Sequence, residues 1–363
     1  MEFIHQIKPI YGKEEIKAVN DYLKSGNGWL VEHTQTKKFE EMIAKFTGAR
    51  YCSILSNGAL TLFTALKALG VGPNDEVIVP DITMAATPNA VVLAGAKVVF
   101  VDIEPESLCL DVEKTKKAIT KRTKAIMHVS LNGRAGNLQE LKKLCQKKKI
   151  HLIEDSAQSL GSFYQGKHLG RHGIIGSFSF SMAKIVTSGQ GGALITNNPK
   201  VYEEIKYIRD FGRRKKGEDF YKKMGWNFKY TDFQAVFGIE QMKKLRARMR
   251  LKKKIFKLYQ RLLSAVPEVK FIETDLSEVS PWVMDVLVPR REKLIDFLKK
   301  NNIGSHAGYP ALHSQPAYDI KGRFPVAEKA AKKVLWLPSF VTLTENQIQY
   351  ICNKIKSFYA KNL

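Results

Sequence analysis

A lysine stands between a strand-like run and a cluster of glycines, in an order that suits covalent attachment of an aldehyde. Lys184 follows residues 177–180 (SFSF) and precedes Gly189, Gly191 and Gly192. A lysine amine can form a Schiff base with an aldehyde, leave it again, and carry a proton during the reaction. The glycines allow backbone conformations that other residues avoid, and a close approach to a ligand. Lys184 is therefore the predicted catalytic residue.

Two further polar residues match the needs of one cofactor, pyridoxal phosphate (PLP). Asp155 follows an apolar run that begins at His151. An aspartate at the end of a buried strand keeps a pyridine nitrogen protonated, so that the ring can act as an electron sink. Ser179 lies five residues before Lys184, where its hydroxyl can donate to a phosphate. The combination predicts a PLP-dependent enzyme.

Each of these residues also has an ordinary structural interpretation. A lone lysine among 59 basic residues is usually solvated. Asp155 could cap a helix, Ser179 could face water from a strand, and the glycines could form a turn. Their joint occurrence in the required order favours the cofactor site.

A second loop has the features of a phosphate site. Ser56-Asn57-Gly58-Ala59 lies between a predicted strand and a predicted helix. Unpaired N–H groups and the positive end of the helix attract phosphate there, so we expect contacts from the backbone of Gly58 and Ala59. An ordinary strand-to-helix turn has a similar sequence.

At these positions the sequence resembles the DegT/DnrJ/EryC1/StrS family of PLP-dependent sugar aminotransferases. The family patterns E-D-A-A-Q, S-F-S-F, K and G-E-G-G-A are matched between residues 154 and 196. Residues 72–80, 225–232 and 337–344 match further family elements, so the resemblance covers nearly the whole chain. It implies the fold of the aspartate aminotransferase superfamily (PLP fold type I) and a homodimer with active sites at the subunit interface.

The resemblance also implies roles for individual residues. Gln158 matches a glutamine near the phenolic oxygen of the cofactor, and Met84 stands where many relatives carry an aromatic that covers the pyridine ring. Asn227 matches a residue that contacts the phosphate in the neighbouring subunit, where Lys229 would assist. His313 matches a histidine near the sugar. Further candidates for sugar or glutamate binding are Trp29, His33 and Arg134.

Three positions depart from the family pattern. Ala59 replaces a threonine, Met84 replaces the stacking aromatic, and Gln190 replaces a glutamate between the glycines. We expect Ala59 to lose a hydroxyl contact while its backbone donor is retained. A thioether can still cover a ring face, although with less defined stacking.

The resemblance implies transfer of an amino group from L-glutamate to a keto sugar in two half-reactions. It extends to perosamine synthases, which aminate C4 of a GDP-linked 4-keto-6-deoxy sugar for surface polysaccharide such as O-antigen. Other nucleotide-linked keto sugars, other keto sugars and sugar acids remain open. A sugar dehydratase of the same fold is a further alternative, but such relatives replace the lysine with histidine, and Lys184 is retained. A cysteine desulfurase needs a cysteine on a mobile loop, whereas Cys352 lies in a predicted helix.

A net charge of +24 offers a non-enzymatic alternative, because basic runs such as residues 213–216 and 243–254 can bind nucleic acid. In the longer run, apolar residues recur at helical spacing, and this pattern predicts an amphipathic helix with a solvated basic face. A positive field would also attract a diphosphate-bearing substrate. We expect no nucleic-acid partner. The apolar residues are Leu245, Met249, Phe256, Tyr259 and Leu263.

The chain of 363 residues is long enough for two domains. Short apolar runs alternate with helical patterns, which predicts an α/β large domain (1–250) with a mostly parallel sheet, followed by a smaller α+β domain (251–363). Four dispersed cysteines predict reduced thiols and no metal. The absence of a membrane-spanning run or signal-peptide pattern leads us to expect a cytoplasmic protein.

Overall fold

Parallel strands form most of the central sheet. The computed structural model describes residues 2–26, 30–213, 215 and 217–360. The first strands are β1 (Tyr51–Leu55), β2 (Glu76–Pro80), β3 (Lys97–Val101), β4 (Thr123–Val129), β5 (His151–Asp155), the hairpin β6 (Phe163–Tyr164) and β7 (Lys167–His168), β8 (Ile175–Ser179) and β9 (Gly192–Thr196). The sheet order is β1-β9-β8-β5-β4-β2-β3. Strand β9 runs antiparallel to both of its neighbours, and the other pairings are parallel.

The sheet is buried on both faces, which explains the nearly continuous apolar runs in its strands. In β2, Val77 and Val79 join one hydrophobic core, while Ile78 between them joins another on the opposite face. This alternation follows from the two-residue period of a strand. Helices cover both cores, as the sequence predicts.

The helices connect the strands and enclose the sheet. They are α1 (Lys13–Lys24), α2 (Thr34–Thr47), α3 (Gly58–Ala68), α4 (Ala86–Leu93), α5 (Val112–Ala118), α6 (Leu138–Lys148), α7 (Pro199–Arg209), α8 (Asp232–Leu263), α9 (Arg291–Lys300), α10 (Pro325–Lys333) and α11 (Glu345–Ala360). Among the described residues, no helix is long and apolar enough to span a membrane.

A smaller antiparallel sheet follows α8 along the chain. Its strands are β10 (Lys270–Phe271), β11 (Met284–Leu287), β12 (His306–Ala307) and β13 (Val334–Leu337), in the order β10-β11-β13-β12. Residues of α9, α11 and the end of α8 share one hydrophobic core with this sheet. Ile4 also belongs to that core and bridges to Ile303, so the N-terminal segment packs on the C-terminal part of the chain.

Helix α8 links the two parts without a break. The proposed boundary between residues 250 and 251 falls inside this 32-residue helix. Its predicted apolar side is confirmed at Leu245, Phe256, Tyr259 and Leu263, each at most 1% exposed. The helix also buries two basic residues that the sequence pattern did not identify, as described below.

Candidate active site

The carboxyl ends of β5 and β8 place Asp155 and Ser179 at the same edge of the sheet. The two strands are parallel, and Asp155 pairs with Ser177 in the register. Asp155 is 5% exposed. The Thr87 hydroxyl donates to its Oδ2 at 2.8 Å, and the Ala157 N–H donates to its Oδ1 at 3.2 Å.

The buried Asp155 carboxylate has neutral hydrogen-bond donors. Burial raises its pKa, while the hydrogen bonds from Thr87 and Ala157 and the charge of Lys184 oppose that rise. Within the described part of the chain it forms no ion pair at contact distance, because its two hydrogen-bond donors are neutral. A protonated pyridine nitrogen would supply the missing positive charge, so this carboxylate fits the PLP ring.

Lys184 lies in the connection between β8 and β9. Its Nζ is 3.9 Å from the centre of the Trp282 ring, and the Trp282 indole N–H donates to the carbonyl of Ala183 at 2.8 Å. Burial lowers the pKa of Lys184 to about 8, against an opposing effect of Asp155. About a tenth of the amine is therefore neutral near pH 7, far more than for a lysine of ordinary pKa, and the neutral form is the one that attacks an aldehyde.

The start of α3 meets Ser179 at close range. A Cβ placed on Gly58 would lie 2.8 Å from Cβ of Ser179, so only glycine allows this approach. The Asn57 side chain caps the helix by accepting from the Leu60 N–H at 2.9 Å. The N–H groups of Gly58 and Ala59 lack the partners that residues further along a helix have. Together with the Ser179 hydroxyl they fit a phosphate group.

Three parts of the molecule thus match the three parts of PLP: an amine for the aldehyde, a carboxylate for the ring nitrogen, and donors for the phosphate. Gln158, Ser179, Lys184 and Trp282 line one small cavity.

Comparison with known proteins agrees with this geometry. Residues 9–356 match the DegT/DnrJ/EryC1/StrS aminotransferase family. The chain belongs to this family. It is 31% identical to GDP-perosamine synthase of Vibrio cholerae, over 97% of this chain and 98% of that protein.

Solved structures show the same fold for this aminotransferase. The aminotransferase TlmJ of Streptoalloteichus hindustanus superposes with a TM-score of 0.95 at 27% identity, covering 99% of this chain and 100% of that one. The PLP form of Spr1654 from Streptococcus pneumoniae has a TM-score of 0.93 at 26% identity, with coverage of 100% and 99%. The predicted fold class is confirmed, and PLP is the cofactor of the family.

Gln158 connects the two parts of this aminotransferase. Its Oε1 accepts from the Asn132 N–H at 2.8 Å, and its Nε2 donates to the Tyr309 hydroxyl at 3.1 Å. Sequence reasoning found Gln158 but missed Tyr309, Trp282 and Thr87. No motif spacing marks these three residues, because they approach the site from distant positions in the chain.

Two predicted substrate residues are engaged by protein carboxylates. The His313 N–H and Nδ1 lie 2.7 and 2.6 Å from the Asp81 carboxylate oxygens. Arg134 approaches both Asp285 oxygens, at 3.2 and 2.7 Å, and donates to the Ser107 carbonyl at 2.8 Å. The Asp81 contact of His313 occupies Nδ1 and leaves Nε2 for a ligand, whereas the guanidinium of Arg134 is held by Asp285 and Ser107. The predicted substrate contacts of both residues stay predictions.

Other predicted residues lie at the surface of the single chain. Met84 is 53% exposed, and Asn227 is also exposed. Lys229 forms an ion pair with Asp210, with Nζ 2.7 Å from Oδ1. The predicted contacts of Asn227 and Lys229 with a neighbouring subunit's cofactor stay predictions.

The remaining candidates lie near the start of α2 and between the glycines. The His33 N–H donates to Asp232 Oδ1 at 2.8 Å, at the beginning of α2. Trp29 lies outside the described residues. Gln190 is exposed, and its backbone carbonyl accepts from the Ser188 hydroxyl at 2.8 Å, so the glycine turn forms without the family's glutamate.

Proposed function

We propose that this aminotransferase moves an amino group from L-glutamate to a nucleotide-linked 4-keto-6-deoxy sugar, in the manner of GDP-perosamine synthase. The product would be an amino sugar for surface polysaccharide. The 31% identity to that enzyme over nearly the full length of both proteins supports the substrate class. The observation that carries the reaction type is the buried amine of Lys184, which lies 3.9 Å from the Trp282 ring and lines a cavity together with Gln158 and Ser179.

Each residue of the candidate site has its own role in the proposed reaction. PLP supplies an aldehyde for the amines and a ring that stores an electron pair during proton transfer. The Lys184 amine holds the cofactor between turnovers and carries the proton between the two carbons that exchange the amino group. The Asp155 carboxylate stabilises a proton on the ring nitrogen, and Ser179 with the start of α3 fixes the phosphate.

The retained lysine also favours amination over dehydration. A dehydratase of this fold would carry histidine at this position, by the family resemblance, whereas Lys184 provides a primary amine. Trp282 packs against that amine, at 3.9 Å from its Nζ, and reduces its contact with water. We therefore expect a proton to return to carbon rather than a hydroxyl to leave the sugar.

The decisive experiment offers the enzyme several acceptors. The PLP-loaded protein and L-glutamate are mixed with GDP-, UDP- and dTDP-linked 4-keto-6-deoxy sugars, and the aminated sugar and 2-oxoglutarate are measured. We expect preferential amination of the GDP-linked sugar. Equal inactivity with every nucleotide sugar, together with turnover of a free keto sugar or sugar acid, would contradict the nucleotide linkage.

We also propose a cytoplasmic homodimer with shared active sites. An apolar groove lined by Tyr11, Ile16, Met182 and Phe233 supports an interface, since each of these side chains is at least 43% exposed. Mixing Lys184→Ala protein with Asn227→Ala protein tests the sharing. Activity that appears only after subunit exchange supports it, and no recovery in verified heterodimers contradicts it.

Nucleic-acid binding remains an alternative that charge alone supports. Several basic residues of α8 are already paired or buried; Lys244, for example, contacts Glu14 and Glu15 at 2.9 and 2.7 Å. Tight binding of duplex DNA at physiological salt, without absorbance from bound PLP, would favour that alternative.

A further inference from the structure

A second cavity opens beside Lys184, on the side of helix α8. The connection that carries Lys184 forms one wall, the N-terminal segment near Ile10 forms another, and the loop at Ser339 closes a third. Arg248 and Lys252 of α8 line the same space. Lys8, which is exposed, also lines it, so the cavity brings three further basic residues together with Lys184.

Arg248 and Lys252 are 6% and 7% exposed and lie one helical turn apart. Residues spaced by four positions share a helix face, so both cations point to the same side of α8. Neither side chain is part of the solvated basic surface that accounts for most of the charge of this helix.

The partners of the two cations are neutral. The Lys252 ammonium donates to the carbonyl and the hydroxyl of Ser339, at 2.6 and 3.1 Å. The Arg248 guanidinium donates to the carbonyls of Ile185 and Ile10, at 2.7 and 3.0 Å, and to the side chain of Gln241. Carbonyl and hydroxyl oxygens satisfy the donors but leave both net charges uncompensated.

The carboxylate that acts electrostatically on Arg248 is hydrogen-bonded to other groups. Glu15 has an electrostatic effect on Arg248, but its oxygens accept from Lys244 at 2.7 Å and from Gln241 at 2.7 Å. No residue of the described chain forms an ion pair with Arg248 or Lys252. Burial lowers the pKa of both groups, and that of Lys252 to about 7. An anion in the cavity would relieve this cost of burying unpaired charge.

The space suits a small anionic group. The cavity measures about 50 Å³, whereas one water needs roughly 10–15 Å³ on a comparable measure. A carboxylate fits that volume, and a guanidinium and an ammonium are its usual partners.

We propose that Arg248 and Lys252 form the subsite for the carboxylate of the amino donor, with the donor's amino group directed to Lys184. This assignment rests on the proposed aminotransferase function, and it names the residues that recognise the donor. The existing bonds to Ile185 and Ile10 hold the guanidinium at the cavity wall. A donor carboxylate adds the negative charge that these carbonyls cannot supply.

The first test is the half-reaction with donor alone, which needs no sugar. PLP-loaded Lys252→Met and Arg248→Lys proteins are mixed with L-glutamate, and the loss of PLP absorbance is followed. We expect the half-saturating glutamate concentration to rise roughly 10- to 100-fold in Lys252→Met. Lys252→Arg should stay near wild type, and Lys257→Met, at an exposed position of α8, serves as the matched control.

The half-reaction with the keto sugar distinguishes a loss of glutamate binding from a general loss of active-site structure. Proteins loaded with pyridoxamine phosphate are mixed with the keto sugar, whose half-saturating concentration should change less than about threefold. An unchanged glutamate dependence in Lys252→Met contradicts the subsite, as does an equal loss toward both substrates. Because the donor test omits the sugar, a wrong sugar assignment would not affect it.

A second readout avoids catalysis and remains useful if a variant folds poorly. The unfolding temperature of PLP-loaded wild type is measured with glutarate, with neutral glutaramide and with inorganic phosphate. We expect glutarate to raise the unfolding temperature by more than glutaramide does. Equal effects of glutarate and glutaramide contradict a carboxylate site, and a larger effect of phosphate than of glutarate contradicts a donor site.

Discussion

Two buried arginines of this aminotransferase differ in their partners. Arg134 lies against the Asp285 carboxylate, with contacts of 3.2 and 2.7 Å. Within the described residues, Arg248 donates to carbonyl and amide oxygens and has no carboxylate partner, in a cavity that is also lined by Lys184 and Lys252. Burial alone therefore does not reveal the role of an arginine. A carboxylate partner within the chain indicates a structural role, and its absence beside a reactive lysine indicates a ligand.

The largest effect on the reaction rate is expected from substitution of Lys184, in the cavity that Arg248 and Lys252 also line. Lys184→Ala should slow both half-reactions by at least roughly 10³-fold, because it removes the proton carrier. Its free energy of unfolding should change little, since Lys184 has no ion-pair partner at contact distance among the described residues. Stopped-flow absorbance and urea unfolding measure the two quantities. Substantial residual transamination would contradict the catalytic role.

Substitution at the Arg134–Asp285 ion pair should change stability rather than catalysis. Arg134→Met removes the cationic partner of the buried Asp285, which retains the Asn132 amide as a donor, and should lower the free energy of unfolding by about 3–5 kcal/mol. Adding Asp285→Leu should recover most of that loss, because it removes the unpaired carboxylate. Urea unfolding of the single and double variants tests this expectation. If Arg134→Met were fully stable but bound glutamate poorly, the contrast between the two arginines would be wrong.

Asp155 is a buried carboxylate that, like the buried cations, has neutral partners. One of these partners is the Thr87 hydroxyl, which donates to it. Thr87→Val should slow both half-reactions roughly 10-fold, because the Asp155 carboxylate loses the hydrogen bond that orients it. Thr87→Ser retains the hydroxyl and should restore the rate. A shift in the absorbance of bound PLP, present in Thr87→Val and absent in Thr87→Ser, would distinguish this role from a general loss of packing.

The pH dependence of PLP attachment provides a smaller test of the same region. Burial lowers the pKa of Lys184 to about 8, so the neutral amine increases as pH rises through that value. Attachment of PLP to the apoprotein should accelerate about 10-fold between about pH 7 and about pH 9, and then level off. A rate that keeps rising toward the ordinary lysine pKa would show that the amine is solvated.

The sequence marks the candidate PLP residues by local patterns, but it has no local pattern for the proposed donor subsite. The apolar runs at residues 76–80 and 151–155 predict two strands, and β2 and β5 have these bounds, because strands buried on both faces appear as short continuous apolar runs. Asp155, Ser179 and Gly58 stand at strand ends or a helix start, where local patterns reveal them. Helix α8 begins earlier than the basic run suggests, because Thr231 caps it by accepting from the Gln234 N–H.

The donor side depends on contacts between distant parts of the chain. Arg248 belongs to a basic run that favours a solvated surface, and only the packing of α8 against Ile10 and Ile185 shows that its guanidinium is buried. The guanidinium of Arg134 makes it a candidate substrate residue in the sequence, yet its partner Asp285 lies 151 positions away. No local pattern in one sequence specifies such pairs.

Borohydride reduction of the PLP-loaded protein, followed by peptide mass spectrometry, locates the covalent bond between cofactor and chain. The reduced cofactor should be found on the Nζ of Lys184, and Lys184→Ala should show no modified peptide. A cofactor bound to another lysine, or no reducible bond in protein that carries PLP, would contradict the assignment of Lys184 as the catalytic residue.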